Sequence, residues 1–65
     1  MENNGGSTIQ DRLTFNITLA QNADNIENKK ALANQALGAV EIAVEFGLIT
    51  YIEFEQYTHN IFEML

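Results

Sequence analysis

Between residues 25 and 46 apolar side chains are so frequent that the polar positions define the pattern. Glu27, Lys30, Asn34, Glu41 and Glu45 fall on one narrow stripe of a helical wheel. Nearly everything else is apolar: Ile26, Leu32, Leu37, Val40, Ile42, Val44, Phe46 and the alanines at 31, 33, 36, 39 and 43. An apolar arc wider than half a turn predicts a helix enclosed on several sides. The segment has no proline and one internal glycine, Gly38, so its intrinsic helix preference is high. Asp24 is expected to cap the start, with Glu27 three residues later returning a carboxylate to the first turn. At the far end Gly47 stands where a left-handed residue is wanted, followed by apolar Leu48.

A second helix follows at about residues 51–64. Thr50 and Glu53 have capping-box spacing, and Ile49 with Phe54 has the spacing of a hydrophobic staple. Tyr51, Phe54, Tyr57, Ile61, Phe62, Met64 and Leu65 are expected on its inner side, opposite Glu53, Gln56, His59, Asn60 and Glu63, with Ile52 an apolar outlier on the polar side. Two helices joined by Gly47-Leu-Ile-Thr50 form an αα-hairpin.

The N-terminal third carries two patterns. At helical spacing, Ile9, Leu13, Ile17 and Ala20 share a face, and Thr8 with Asp11 resembles a cap. At alternating spacing, Leu13, Phe15, Ile17 and Leu19 interleave with Arg12, Thr14, Asn16 and Thr18, and strand propensity supports that pattern. A lone strand leaves its backbone groups without a partner inside the chain, whereas a helix satisfies them locally, so a helix is the preferred reading. The expectation is an all-α fold: residues 1–7 a flexible leader, residues 8–65 one small helical domain built on the C-terminal hairpin. A strand–helix–helix dimer is the alternative.

Composition narrows the means of stabilisation. With 65 residues, no Cys and one His, neither disulfides nor the common Cys/His zinc sites are open to this chain. Helix packing and self-association remain. The net charge of −6 argues against a nucleic-acid-binding surface and against attraction to anionic lipid, so direct nucleic-acid binding is not expected. Residues 1–11 are polar, without the apolar stretch of a secretory signal, and residues 38–51 are interrupted by Glu41 and Glu45, too short to span a bilayer. A soluble cytoplasmic protein without membrane association is the expectation.

Candidate chemistry is sparse. The single serine, Ser7, lies in the leader, and no cysteine offers a nucleophile; no phosphate-cradling glycine loop is present. His59 stands four residues from both Glu55 and Glu63, but three ligands on one open helix lack a second wall. Glu41 with Glu45 and Glu53 with Glu55 read as a solvated stripe and as helix N-terminal charge rather than as an acid/base pair. No catalytic, cofactor-binding or metal residue is assigned, and no enzyme is expected.

Charge placement carries more. All basic residues lie at or before Lys30, and from Ala31 onward there are five Glu and no Lys or Arg. Glu41, Glu45, Glu53, Glu55 and Glu63 are therefore candidate partner-binding residues. Ile42, Phe46, Ile52, Tyr57 and Phe62 are candidate apolar contacts, because one facing helix is not expected to cover the arc. Ala36, Ala39 and Ala43 permit close helix approach, and self-association as a dimer is expected alongside an unidentified protein partner.

Residues 46–57 resemble a helix–Gly-x-Ile-Thr–helix hairpin of very small bacterial and phage proteins, a resemblance that names no family. If residues 12–19 form a strand, the order is similar to ribbon-helix-helix proteins, which implies a DNA-binding dimer presenting Arg12, Thr14, Asn16 and Thr18. The acidic charge, the long second element and the loose Gly47–Thr50 spacing depart from that pattern. The expected function is a small non-enzymatic interaction module: a regulator, adaptor or inhibitor, of phage or mobile-element style. A nucleic-acid mimic acting through its carboxylates is the second expectation.

Overall fold

The computed structural model describes residues 8–65; the leader expected at residues 1–7 lies outside them. Three helices follow in order: α1 (Ile9–Gln21), α2 (Ile26–Glu45) and α3 (Tyr51–Glu63). No strand occurs among the described residues, so the strand–helix–helix alternative is overturned. With it goes the ribbon-like presentation of Arg12, Thr14, Asn16 and Thr18.

The helical reading of the N-terminal third holds for a local reason. Thr8 Oγ1 accepts from the Asp11 amide at 3.1 Å and the Thr8 amide donates to Asp11 Oδ2 at 3.4 Å, a complete capping box. Leu13, Ile17 and Ala20 are buried from α1, and Ile9 packs beside them. The start of α2 differs from expectation. Its cap is Asn25, not Asp24: Asn25 Oδ1 accepts from the Asn28 amide at 2.8 Å. Moving the cap by one residue puts Asn28 three positions on, so Glu27 no longer has capping-box spacing and adds only favourable charge to the first turn.

The α2–α3 turn forms as its residues require. Gly47 has φ 71°, the left-handed conformation. The Leu48 amide reaches Ala43 O at 2.8 Å and the Gly47 amide reaches Val44 O at 3.1 Å, the paired bonds of a Schellman motif. Thr50 then caps α3 with Glu53 in a second capping box.

The core is small and rich in alanine. Ala20, Ala33, Ala36 and Ala43 are buried with Leu13, Ile17, Val40, Ile49 and Ile61. Alanine contacts let α1 and α2 approach closely but bury few methylene groups. α1 packs mainly on α2, α3 packs on α2 less extensively, and α1 barely meets α3. The Gln10 amide donates to Glu53 at 3.4 Å, tying the start of α1 to the start of α3. At 1.5 Å per residue α2 is about 30 Å long and each neighbour about 20 Å, so neither covers it fully. The Cα atoms span 36 × 26 × 14 Å. A triangular three-helix bundle has two similar short dimensions; this arrangement is flatter and more open.

Candidate interaction surface

The open arrangement leaves large apolar side chains in solvent. Three of the four phenylalanines, Phe15, Phe46 and Phe62, are exposed, while four of the nine buried core residues are alanine. Aliphatic side chains thus fill the core beside the alanines while most of the phenylalanine surface stays outside, where a closed core would take it in.

The densest exposure is at the corner of the hairpin. Phe46 is 75% exposed, Tyr51 68% and Ile52 67%, with Leu48 between them about half exposed; within this stretch only Ile49, at 6%, turns inward. The turn itself causes this. The Schellman bonds reverse the chain within two residues and Ile49 takes the single inward position before the Thr50 cap. Ile42, one helical turn before Phe46, extends the patch along α2 and is also exposed. Tyr51 packs against Phe54 with ring centroids 5.6 Å apart, which fixes one edge of the corner.

Of the five apolar residues singled out by sequence, Ile42, Phe46, Ile52 and Phe62 are exposed. Tyr57 instead is half-buried and packs against the core. The inner face expected for α3 is narrower than its seven residues: Ile61 is buried, Phe54, Tyr57 and Met64 are partly buried, and Tyr51, Phe62 and Leu65 face solvent. Phe62 and Leu65 lie near the opposite end of α3 from the corner, so the structure divides the predicted apolar set rather than gathering it. Reading the N-terminal third at two periods at once obscured Phe15 and Leu19. At helical spacing they fall opposite Leu13 and Ile17, and both are exposed.

The carboxylates divide by environment. Glu41, Glu45, Glu55 and Glu63 are exposed. Glu63 Oε2 lies 3.3 Å from His59 Nε2, between two largely exposed side chains, and such surface pairs contribute little. Glu53 is occupied structurally. The Thr50 amide at 2.8 Å holds its carboxyl below the usual glutamate value; partial burial opposes this, and hydrogen bonding with the Gln10 and Thr50 side chains adds to the lowering. No group of three or more His, Cys, Asp or Glu able to hold a metal ion occurs among the described residues. Shallow depressions lie beside Asp11, Arg12, Phe15 and Asn16 on α1 and around Asn22, Asp24 and Gln35 where α1 passes into α2. No helix among the described residues is long and apolar enough to cross a membrane. Compared with protein-family models, with curated proteins and with solved structures, the chain has no significant match.

Proposed function

We propose that this protein is a small non-enzymatic interaction module, a regulator, adaptor or inhibitor that binds another protein through the hairpin corner. The observation that carries the reading is the exposure of Ile42, Phe46, Leu48, Tyr51 and Ile52 around one tight turn. Solvent-facing large apolar groups scattered singly are ordinary, but a concentrated patch on a folded domain is characteristic of a docking surface. A corner braced by a Schellman motif and a capping box is also preorganised, so little ordering cost falls on binding.

The test is capture of partners by the tagged protein and by an Ile42→Ser/Phe46→Ser variant whose helical circular dichroism matches the parent. A partner retained by the parent and lost by the variant is the expected result. Equal capture by both proteins would sink the proposal.

A second reading is a nucleic-acid mimic that occupies a basic site, supported by the exposure of Glu41, Glu45, Glu55 and Glu63 in a stretch that has no Lys or Arg after Lys30. Binding through charge alone weakens steeply with salt and is insensitive to Ile42 and Phe46. Binding through the apolar corner is instead lost when Ile42 and Phe46 are replaced.

A further inference from the structure

We infer that the occupant of the hairpin corner is a cationic amphipathic segment of another protein, with large apolar side chains flanked by Lys or Arg. This rests on the interaction-module reading and specifies its partner. The apolar and acidic features of the corner are interleaved. Glu45 follows Ile42 by three residues and precedes Phe46; Glu55 follows Ile52 by three and Tyr51 by four. Three and four residues are the spacings at which helical side chains are neighbours. Both carboxylates are exposed, whereas Glu53 between them is engaged by the Thr50 amide and Gln10.

Each other candidate occupant fails on chemistry. Residues 1–7 carry Glu2 and no apolar side chain after Met1, a poor chemical match for an apolar, acidic corner. A second copy would meet the corner with the same carboxylates. A two-fold contact there would set Glu45 and Glu55 close to their own copies, and like charges brought together at an interface are costly. Of the chain's own cations, Lys29 and Lys30 lie near the start of α2, at the opposite end of that helix from the corner, and Arg12 lies on α1. Anionic lipid and nucleic-acid phosphates are repelled by the same rim.

Size points the same way. Five side chains between 52% and 75% exposed present on the order of 600 Å² at roughly 200 Å² for each large side chain. A standard stable interface takes about 800 Å² from each partner. The corner therefore suits a segment of a few helical turns better than a broad, permanent subunit contact.

The experiment titrates the labelled full chain with three synthetic peptides, following backbone amide shifts. One is a Leu/Lys amphipathic helix, one its Leu/Glu counterpart, and one a Ser/Lys peptide of equal positive charge. Saturable binding of the Leu/Lys peptide alone is expected, with shifts centred on residues 42–55. Phe46→Ser/Ile52→Ser should weaken it by about tenfold or more, given the apolar area removed. Glu45→Gln/Glu55→Gln should weaken it as well, in variants of parental helix content. Equal binding of the Leu/Glu peptide, equal binding of the Ser/Lys peptide, or no binding of any peptide would each overturn the inference. The broader module reading has its own readout, the loss of a cellular partner from Ile42→Ser/Phe46→Ser, and stands or falls on that result.

Discussion

The two internal glycines show how one residue type serves opposite ends at the residue scale. Gly47 has φ 71° and Gly38 sits inside α2; a Cβ added at either meets nothing within 4 Å. Space is therefore not what separates them. At Gly47 the left-handed backbone would cost an L side chain about 1–2 kcal/mol. At Gly38 alanine fits the helix and restricts the unfolded chain, a gain of roughly 0.5–1 kcal/mol. Urea denaturation should find Gly47→Ala destabilised and Gly38→Ala stabilised, and equal signs would refute this account. The role of Gly47 was legible in the sequence because a C-terminal left-handed residue is a local requirement. The Asn25 cap was less so: Asp24 and Asn25 are adjacent and both suit the position, and only the path of the 22–25 connection selects Asn25.

The helices are set by their ends as much as by their faces. α1 and α3 both begin with a Thr-led capping box, and that of α3 also binds Gln10 of α1. Because the Glu53 pKa is lowered in the folded protein, its contribution to stability is fully present above the ordinary glutamate value, about 4.3. It declines as pH falls below that value and is gone below the folded pKa. Glu53→Gln removes this titration while keeping a side chain that can bond the Thr50 amide. The difference in melting temperature between parent and variant should therefore shrink as pH falls through that window. A pH-independent difference would show that the Glu53 charge does not stabilise the α3 start. Existence and approximate limits of α2 and α3 were readable from periodicity and caps. The inner face of α3 was not, because a wheel ranks positions by direction while the neighbouring helices decide how wide an arc is covered. α1 covers little of α3, so Tyr51, Phe62 and Leu65 stay in solvent.

For the whole molecule, an alanine-rich contact between α1 and α2 leaves a thin, open body with phenylalanines outside. Its charge, nine carboxylates against three basic side chains, opposes association of copies through that apolar surface. Sedimentation velocity should show a monomer at low ionic strength and growing self-association as salt screens the carboxylates. Phe46→Ser/Ile52→Ser should suppress that growth. A dimer that is tight at low salt and weakened by added salt would reverse the charge argument. The sequence by itself determined the hairpin, its Gly47 turn and Thr50 cap, and the one-sided charge, since each depends on residues a few positions apart. It also determined that α2 is too apolar for one neighbour to cover. Tertiary structure settled the N-terminal third, where two periods fitted: the Thr8–Asp11 cap is local, and packing of Leu13, Ile17 and Ala20 against α2 takes the helical period. It likewise decided which apolar residues reach solvent. Exposure depends on where neighbouring helices lie and how far they extend, and no spacing along a single helix encodes that.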